Sequence, residues 1–478
     1  MNNKQQYLDI AEGKGERAPS TMLAFSSQEM SYPLLESLLE AQSFFTDGEI
    51  SYTEQGQGGF FYTCHHHDRE LTFYLELSER DLENKITPIH STDEISPELL
   101  AQANAATQEV TVECIFGANP LEDYVHQLRL LSAVVPGFLL GIDMSAAGNV
   151  FTREWLRFQL EDDVLPEIES LYTIHAVYDT ENDPPTTFWF HSHGLARCGL
   201  TEAELVIPET LSSYYGIPDL FRSFVNNAIQ NQRITFNEPI LCGQTDSGYE
   251  YLVALPFEEG LRHVNQSTPI DQLRPLEDMH YDLEGTPEGV FLGDRADRAD
   301  RDDVHQEPSC MLFRTNEENP VLQTFFKGFD EQNAIMFWRT NTETAEMSRK
   351  AQLRWRYFIN MFNNYHVSNK PVKKGFLAKL LKKSPEPVES EWRFMVKCGI
   401  PHGEDGDERE HMWFIPEEIH DTVVTGTLIN HPFYVEGMQE GGVYSVDISR
   451  VTDWAIYYQG DSYKPDTIYK LLSNSQTH

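Results

Sequence analysis

The chain reads as a multidomain α+β protein, with mixed sheets carrying packed helices and a small strand-rich module toward its C-terminal end. Three observations predict this. Short apolar strand-like segments alternate with amphipathic helix-like segments through residues 20–290. The length of 478 residues exceeds what one core supports and points to roughly three domains. A composition that is 40% hydrophobic and 12% aromatic is enough to fill packed cores, so most of the chain is expected to be ordered.

After a polar lead, Thr21–Ser26 is a short strand, and Pro33 opens a helix to Phe45 with Leu34, Leu35, Leu38 and Leu39 on one side. Ile50–Thr53 and Phe60–Cys64 are strands joined through the glycines of 55–59, and Leu71–Leu77 alternates with the period of a half-buried strand. Ser96 caps a helix to Ala106 with Pro97 at its first position. Val110–Phe116 is a strand, and the helix from Pro120 to Val135 stops at Pro136 and Gly137. Phe138–Ile142 is a strand leading to a loop at 146–149, and Arg153–Leu160 is helical. Leu171–Tyr178 and Thr186–Phe190 pair as strands across the turn 181–185.

Leu211–Gln230 is helical with an early break at Gly216 and Pro218, and Ile234–Cys242 and Tyr249–Pro256 are strands. Met311–Arg314 and Asn333–Arg339 are further strands, and one long helix from Glu343 to Asn363 aligns Trp355, Phe358 and Phe362. In the last module, Met412–Ile415, Thr422–Leu428 and Val443–Ile448 supply strands around Trp413 and Trp454. The domain plan is then an α+β region at 20–290 and a charged linker at 291–306 containing GDRADRADRDD. A strand–helix connector follows at 307–368, then a basic, proline-containing linker at 369–390 and the module at 391–460. Strand, proline-initiated helix and strand recur at 21–53 and 110–142, which suggests two similar halves, 20–145 and 150–290.

Charge narrows the partners. With 36 basic and 76 acidic residues the net charge is -40, a field that repels nucleic acid and anionic membrane and serves either solubility or a basic protein partner. Six scattered cysteines contain no CxxC pair, which fits a reducing compartment. The N-terminus lacks the apolar core of a secretory signal. The longest apolar run, Leu130–Ile142, is broken by Pro136 and falls short of the ~20 residues that span a bilayer. A cytoplasmic protein without a membrane span is expected.

The chemistry concentrates in Phe188–Val206, FWFHSHGLARCGLTEAELV. An extended strand there places His191 and His193 on one face, and Glu202 and Glu204 repeat the spacing beyond the turn 194–200. His191, His193 and Glu204 form the ligand set of a zinc or iron site with a position left for water, and Glu202 is the candidate general base. Gly194 shapes the turn, and Cys198 as a fourth ligand would close the site and make it structural. A second histidine tract, Cys64–Asp68, ends a strand with His65 and His67 expected on one face. GxSxG, Walker-A and GxGxxG motifs are absent from the sequence, and His411 lacks the partner of an HExxH motif.

Trp392, Phe394, Val396, Lys397, Glu410-His411-Met412-Trp413, Gly426, Leu428, Asn430, Pro432, Gly437 and Asp453-Trp454 together resemble the bacterial YegJ-like domain of unknown function. Gly441-Gly442 departs from the Gly-Asp turn expected there. His191-Ser192-His193-Gly194-Leu195, with Gly199, Glu202 and Glu204, resembles an HTHGL-type motif of uncharacterised bacterial proteins, Ser192 standing for the threonine. The resemblance implies a bacterial, cytoplasmic protein, with an immunity-like role by analogy of class. The function expected is a non-enzymatic protein-interaction role; the alternative is a metal-dependent hydrolase centred on the HSHG segment.

Overall fold

The computed structural model describes residues 3–53, 58–179, 181–182, 185–208, 210, 216–245, 248–287, 289, 308–317, 320–323, 335–337, 341–366, 392–403 and 408–474. The charged segment 293–303 and the basic segment 370–383 lie outside them. Residues 1–161 with 165–339 form one compact unit, and residues 162–164 with 340–478 form a second. Multidomain α+β architecture is what the chain adopts, with mixed or antiparallel sheets throughout.

In the first unit, the helix α1 (Asn3–Ala11) precedes a seven-stranded sheet ordered β2-β3-β4-β5-β1-β6-β7. Its strands are β1 (Ser20–Ser26), β2 (Thr46–Tyr52), β3 (Phe60–His66), β4 (Arg69–Glu79), β5 (Gln108–Cys114), β6 (Phe138–Asp143) and β7 (Asn149–Thr152). The helices are α2 (Tyr32–Ala41), α3 (Pro97–Ala105), α4 (Pro120–Val134) and α5 (Arg153–Glu161). The expected Ser96 cap forms, accepting from the Leu99 N–H, and Ser31 caps α2 in the same way by accepting from the Leu34 N–H. The helix α2 stops before Phe45 because the Gln42 amide captures the chain. Its Oε1 accepts from the N–H of Phe44 and Phe45, and its Nε2 donates to the Phe45 carbonyl.

The second sheet of this unit, also seven-stranded, is ordered β14-β11-β12-β13-β10-β9-β8. It comprises β8 (Thr173–Tyr178), β9 (Phe188–His193), β10 (Glu202–Ile207), β11 (Ile240–Thr245), β12 (Gly248–Pro256), β13 (Ser309–Thr315) and β14 (Ile335–Phe337). The helix α6 (Ile217–Asn231) links β10 to β11, and α7 (Phe257–Gly260) follows β12. The sheet therefore continues past residue 290, with β13 in its middle.

The two sheets share a plan but are not copies. In each, a strand crosses through a helix to a meander that returns beside it: β1–α2–β2 to β5, and β10–α6–β11 to β13. The first meander has four strands, so β5 returns antiparallel to β1. The second has three, so β13 returns parallel to β10. One face of the second sheet is covered by the chain after β12. Phe257, Leu261, Val264 and Met279 pack there on Val253, Met311 and Phe313.

The second unit has α8 (Asn341–Leu353), α9 (Trp355–Tyr365) and α10 (Ile468–Asn474) against a six-stranded antiparallel sheet ordered β18-β17-β16-β15-β19-β20. Those strands are β15 (Trp392–His402), β16 (Glu408–His420), β17 (Val423–Leu428), β18 (Val443–Asp447), β19 (Val451–Tyr458) and β20 (Asp461–Tyr463). The single helix expected over 343–363 is broken at Arg354, whose buried guanidinium donates to the Pro465 carbonyl and pairs with Asp162. Phe358 stacks on Trp355 and packs edge-on to Phe394, beside Trp454. Trp454 is fully buried, as expected, but Trp413 is only half-buried, with the Lys397 ammonium 5.7 Å from its ring. The alternation of β16 turns Met412 and Phe414 inward, and Trp413 outward.

The tract at residues 64–68 also differs from expectation. His67 takes a left-handed φ of 53° in the β3–β4 turn, so it does not repeat the direction of His65. His66 instead stacks on Phe44 and meets His126 of α4 edge-on, at ring separations of 4.1 and 4.7 Å. Burial, with His66, Arg69 and Arg129 nearby, pushes the His126 pKa down to about 3. The unfolded chain then binds a proton near pH 6.5 that the folded chain refuses, so stability is lost as pH falls from about 6.5 toward 3. At pH 5 this one group should cost about 2 kcal/mol. Urea unfolding at pH 7.5 and pH 5 should show that loss in the wild type and a clearly smaller one in His126→Phe. An unchanged pH slope in the variant would refute the assignment.

Candidate metal centre

Strands β8 and β9 pair with His175 opposite His191 and Thr173 opposite His193. On its other side, β9 pairs with β10, placing Glu204 opposite His191. The row continues through Met311 of β13 to Leu255 of β12. Side chains directly opposite in a sheet share a face. His175, His191 and Glu204 therefore stand side by side on the face covered by residues 257–283, and His193 joins them by the two-residue period.

His175, His191 and His193 each offer a ring nitrogen, and these atoms all lie within 4.8 Å of one another. A tetrahedral zinc with N–Zn bonds near 2.05 Å would hold its nitrogens about 3.4 Å apart, so closure by at most about 1.4 Å would complete the geometry. His191 and His193 are buried, and His175, on the edge strand β8, is half-buried. The indole of Trp189 lies 4.2 Å from the His191 ring, and its Nε1 donates to Glu204 Oε2 at 2.9 Å. His90, from the segment after β4, stacks on His175 at 4.4 Å.

The structure sorts the other candidates. Glu202 and Glu204 lie on a strand, not on a turn. Glu202 Oε1 accepts from the N–H groups of Gly194, Leu195 and Ala196, and Oε2 accepts from Ser192 Oγ. Both Glu202 oxygens are thus engaged by Ser192 and the turn, so Glu202 holds the turn, where the sequence suggested a general base. Burial raises the Glu202 pKa against these bonds. Cys198 sits buried in the short helical turn Ala196–Cys198, where burial pushes its thiol up to about 12 and keeps it protonated. Among the described residues, the group with metal-binding spacing contains neither Cys198, Glu204 nor the tract at 64–68. Gly194 has φ 118°, and a Cβ there would lie 2.5 Å from the Leu171 carbonyl oxygen, so only glycine fits.

His175 was missed by pattern reading because its partner lies across a hairpin, sixteen positions from His191 in sequence. The usable signal was a histidine in a strand already paired with the HSH segment.

Arg197 anchors this hairpin. It is almost fully buried, and its five donor contacts are all made. It grips Asp143 Oδ1 and Oδ2 at 3.0 Å each, Ser20 Oγ at 3.1 Å, and the Leu171 carbonyl through Nε and Nη2. Phe116 and Tyr124 flank the guanidinium. Burial raises the Asp143 pKa while Arg197 pulls it back. The pair is ionised, since a guanidinium does not surrender its proton. Arg197→Met leaves the Asp143 charge buried and should cost about 3–5 kcal/mol in urea unfolding, whereas Arg197→Met with Asp143→Leu should recover at least half. A single-variant loss under about 1 kcal/mol would contradict this.

Comparison with known proteins places these elements. No curated protein and no solved structure matches the chain. Residues 20–166, from β1 through α5, match a family model described as Protein of unknown function (DUF4026) N-terminal, and residues 174–313, from β8 through β13, match its C-terminal counterpart. Residues 360–477 match a model described as Uncharacterized protein conserved in bacteria (DUF2314). The chain is thus assembled from domains of unknown function, the N- and C-terminal models falling on the two sheets of the first unit and the third on the second unit.

Proposed function

We propose that the first unit is a zinc-class metal protein whose ligands are the imidazoles of His175, His191 and His193. The observation that carries the reading is the convergence of three ring nitrogens within 4.8 Å on one face of a sheet. Imidazole suits zinc, copper, nickel and iron, and discriminates against magnesium and calcium, which take oxygen ligands. Three neutral ligands leave a fourth position for water, whose pKa a bound zinc lowers toward 7, the condition for hydrolysis. Glu204, opposite His191 and held by Trp189, is the carboxylate placed to orient that water or a ligand ring. The ligand set thus shifts from two histidines and Glu204 to three histidines with Glu204 beside them.

Untagged protein equilibrated with zinc and freed of excess should retain one equivalent per chain by elemental analysis. His175→Ala or His191→Ala should weaken binding about 100-fold or more. Excess zinc at about 100 times Kd should add about 2.7 kcal/mol to unfolding of the wild type and nothing to the variants. His65→Ala with His67→Ala removes adventitious binding at the other tract. Zinc content unchanged by His191→Ala with His193→Ala would end the proposal.

A second reading, protein interaction of the immunity-like kind, is favoured by one feature of the second unit. The Glu410 carboxylate accepts from the backbone N–H groups of Phe433, Tyr434 and Val435, holding a loop on which Phe433 and Tyr434 are 81% and 70% exposed. Burial acts to raise the Glu410 pKa, but these backbone bonds outweigh it and the net shift is downward. Rigid exposed aromatics on an anionic body suit a basic partner. A stoichiometric partner co-purified at low salt should be lost with Phe433→Ser and Tyr434→Ser. Recovery of none, or equal recovery with the variant, counts against this reading.

A further inference from the structure

We propose that His90 is a positioning residue of the imidazole centre, so that metal binding and the seating of the segment 86–95 on the first sheet are coupled. The inference rests on the metal reading above. The segment is docked by its backbone. Val150 of β7 donates its N–H to the His90 carbonyl at 2.9 Å, and Thr92 donates its N–H to the Val150 carbonyl at 2.9 Å. Ser91 bridges Val150 in parallel between them, and Thr152 Oγ1 donates to Asp93. The backbone on both sides of His90 is therefore pinned to the first sheet, and its ring is delivered to the edge of the second.

That ring lies nearly parallel to His175, 4.4 Å away at an interplanar angle of 18°. On its other contacts His175 meets His191 and His193 edge-on at 5.2 and 4.7 Å. His175 is the least buried of the three ligands and sits on an edge strand, so it has the most freedom to lose when a metal fixes it. A flat ring stacked on it restricts that freedom in advance, which is what outer partners of metal-bound imidazoles do. The coupling runs both ways, because a ligand that favours the seated segment is itself favoured by it. At its ends the segment is held by the Ile86 N–H donating to Asn104 Oδ1 and by Ile86 and Ile95 packing with Phe25 and Leu139, while Ile89 near its middle is 79% exposed.

The test uses the full chain with zinc alone as probe. Zinc affinity is measured by competition with a chromophoric chelator, and amide hydrogen exchange of 86–95 is followed with and without zinc. His90→Ala should weaken zinc about 10–100-fold. His90→Phe, which keeps a flat ring but no ligand nitrogen, should stay within about threefold of the wild type. Zinc should slow exchange of 86–95 in the wild type and His90→Phe but not in His90→Ala. Unchanged affinity in His90→Ala with zinc-independent exchange in the wild type overturns the inference while leaving the metal site standing. Equal loss in both variants makes His90 a direct ligand and also overturns it. A wild type that takes up no zinc overturns the metal reading beneath it.

Discussion

A guanidinium sealed from water holds together the part of the first unit that carries the three-histidine cluster. Arg197 leaves the turn after β9, reaches the carboxylate that ends β6, and closes on the carbonyl just before β8. Its network extends through Ser20 to Gln127 of α4, which in turn donates to the carbonyls of Ser20 and Val112. Such a pair gains little net energy over a well-packed apolar substitute. What it supplies is direction: an ion with five fixed donors tolerates only one arrangement of its acceptors. The start of β8 and the end of β9 are thereby set against β6, and the register of the β8–β9 hairpin carries the imidazoles with it.

The turn itself is specified by Glu202. Glu202 gathers three consecutive N–H groups and the Ser192 hydroxyl, so its charge is spent on backbone donors that burial would otherwise leave unsatisfied. Two acids spaced alike in sequence thus do different work. Glu202, at the strand end, is claimed by the turn; Glu204, further along β10, is left on the imidazole face beside Trp189. Parity shapes the frame around them. One strand more or fewer in the meander decides whether the returning strand runs with or against the strand it rejoins.

Much of this was legible in the residues. Pro33 marked the start of α2, and Ser96 with Pro97 marked that of α3, since side-chain caps and a missing N–H act within one turn of chain. The pairing of residues 171–178 with 186–190 followed from two apolar runs and a polar turn. His191 and His193 shared a face because a strand has a period of two. Elements with weak local signals escaped. The polar lead is the helix α1, which the buried Tyr7 ties in through a hydrogen bond to the Ser309 carbonyl. The helix break at Arg354 answers to acceptors at 162 and 465. No local pattern contains such partners.

By itself, then, the sequence determined the α+β class, the acidic charge, most strand and helix positions, and the identity of one histidine-rich strand end. These are set by periodicity, caps and composition, which act over a few residues. Only the tertiary structure decided that His175 lies opposite His191 and clusters with it and His193, that Glu202 is committed to a turn, and that His90, from the segment after β4, stacks on His175. Each of those depends on strand register or on contacts between residues far apart in the chain, and register is settled by the burial of whole faces rather than by any local run of letters.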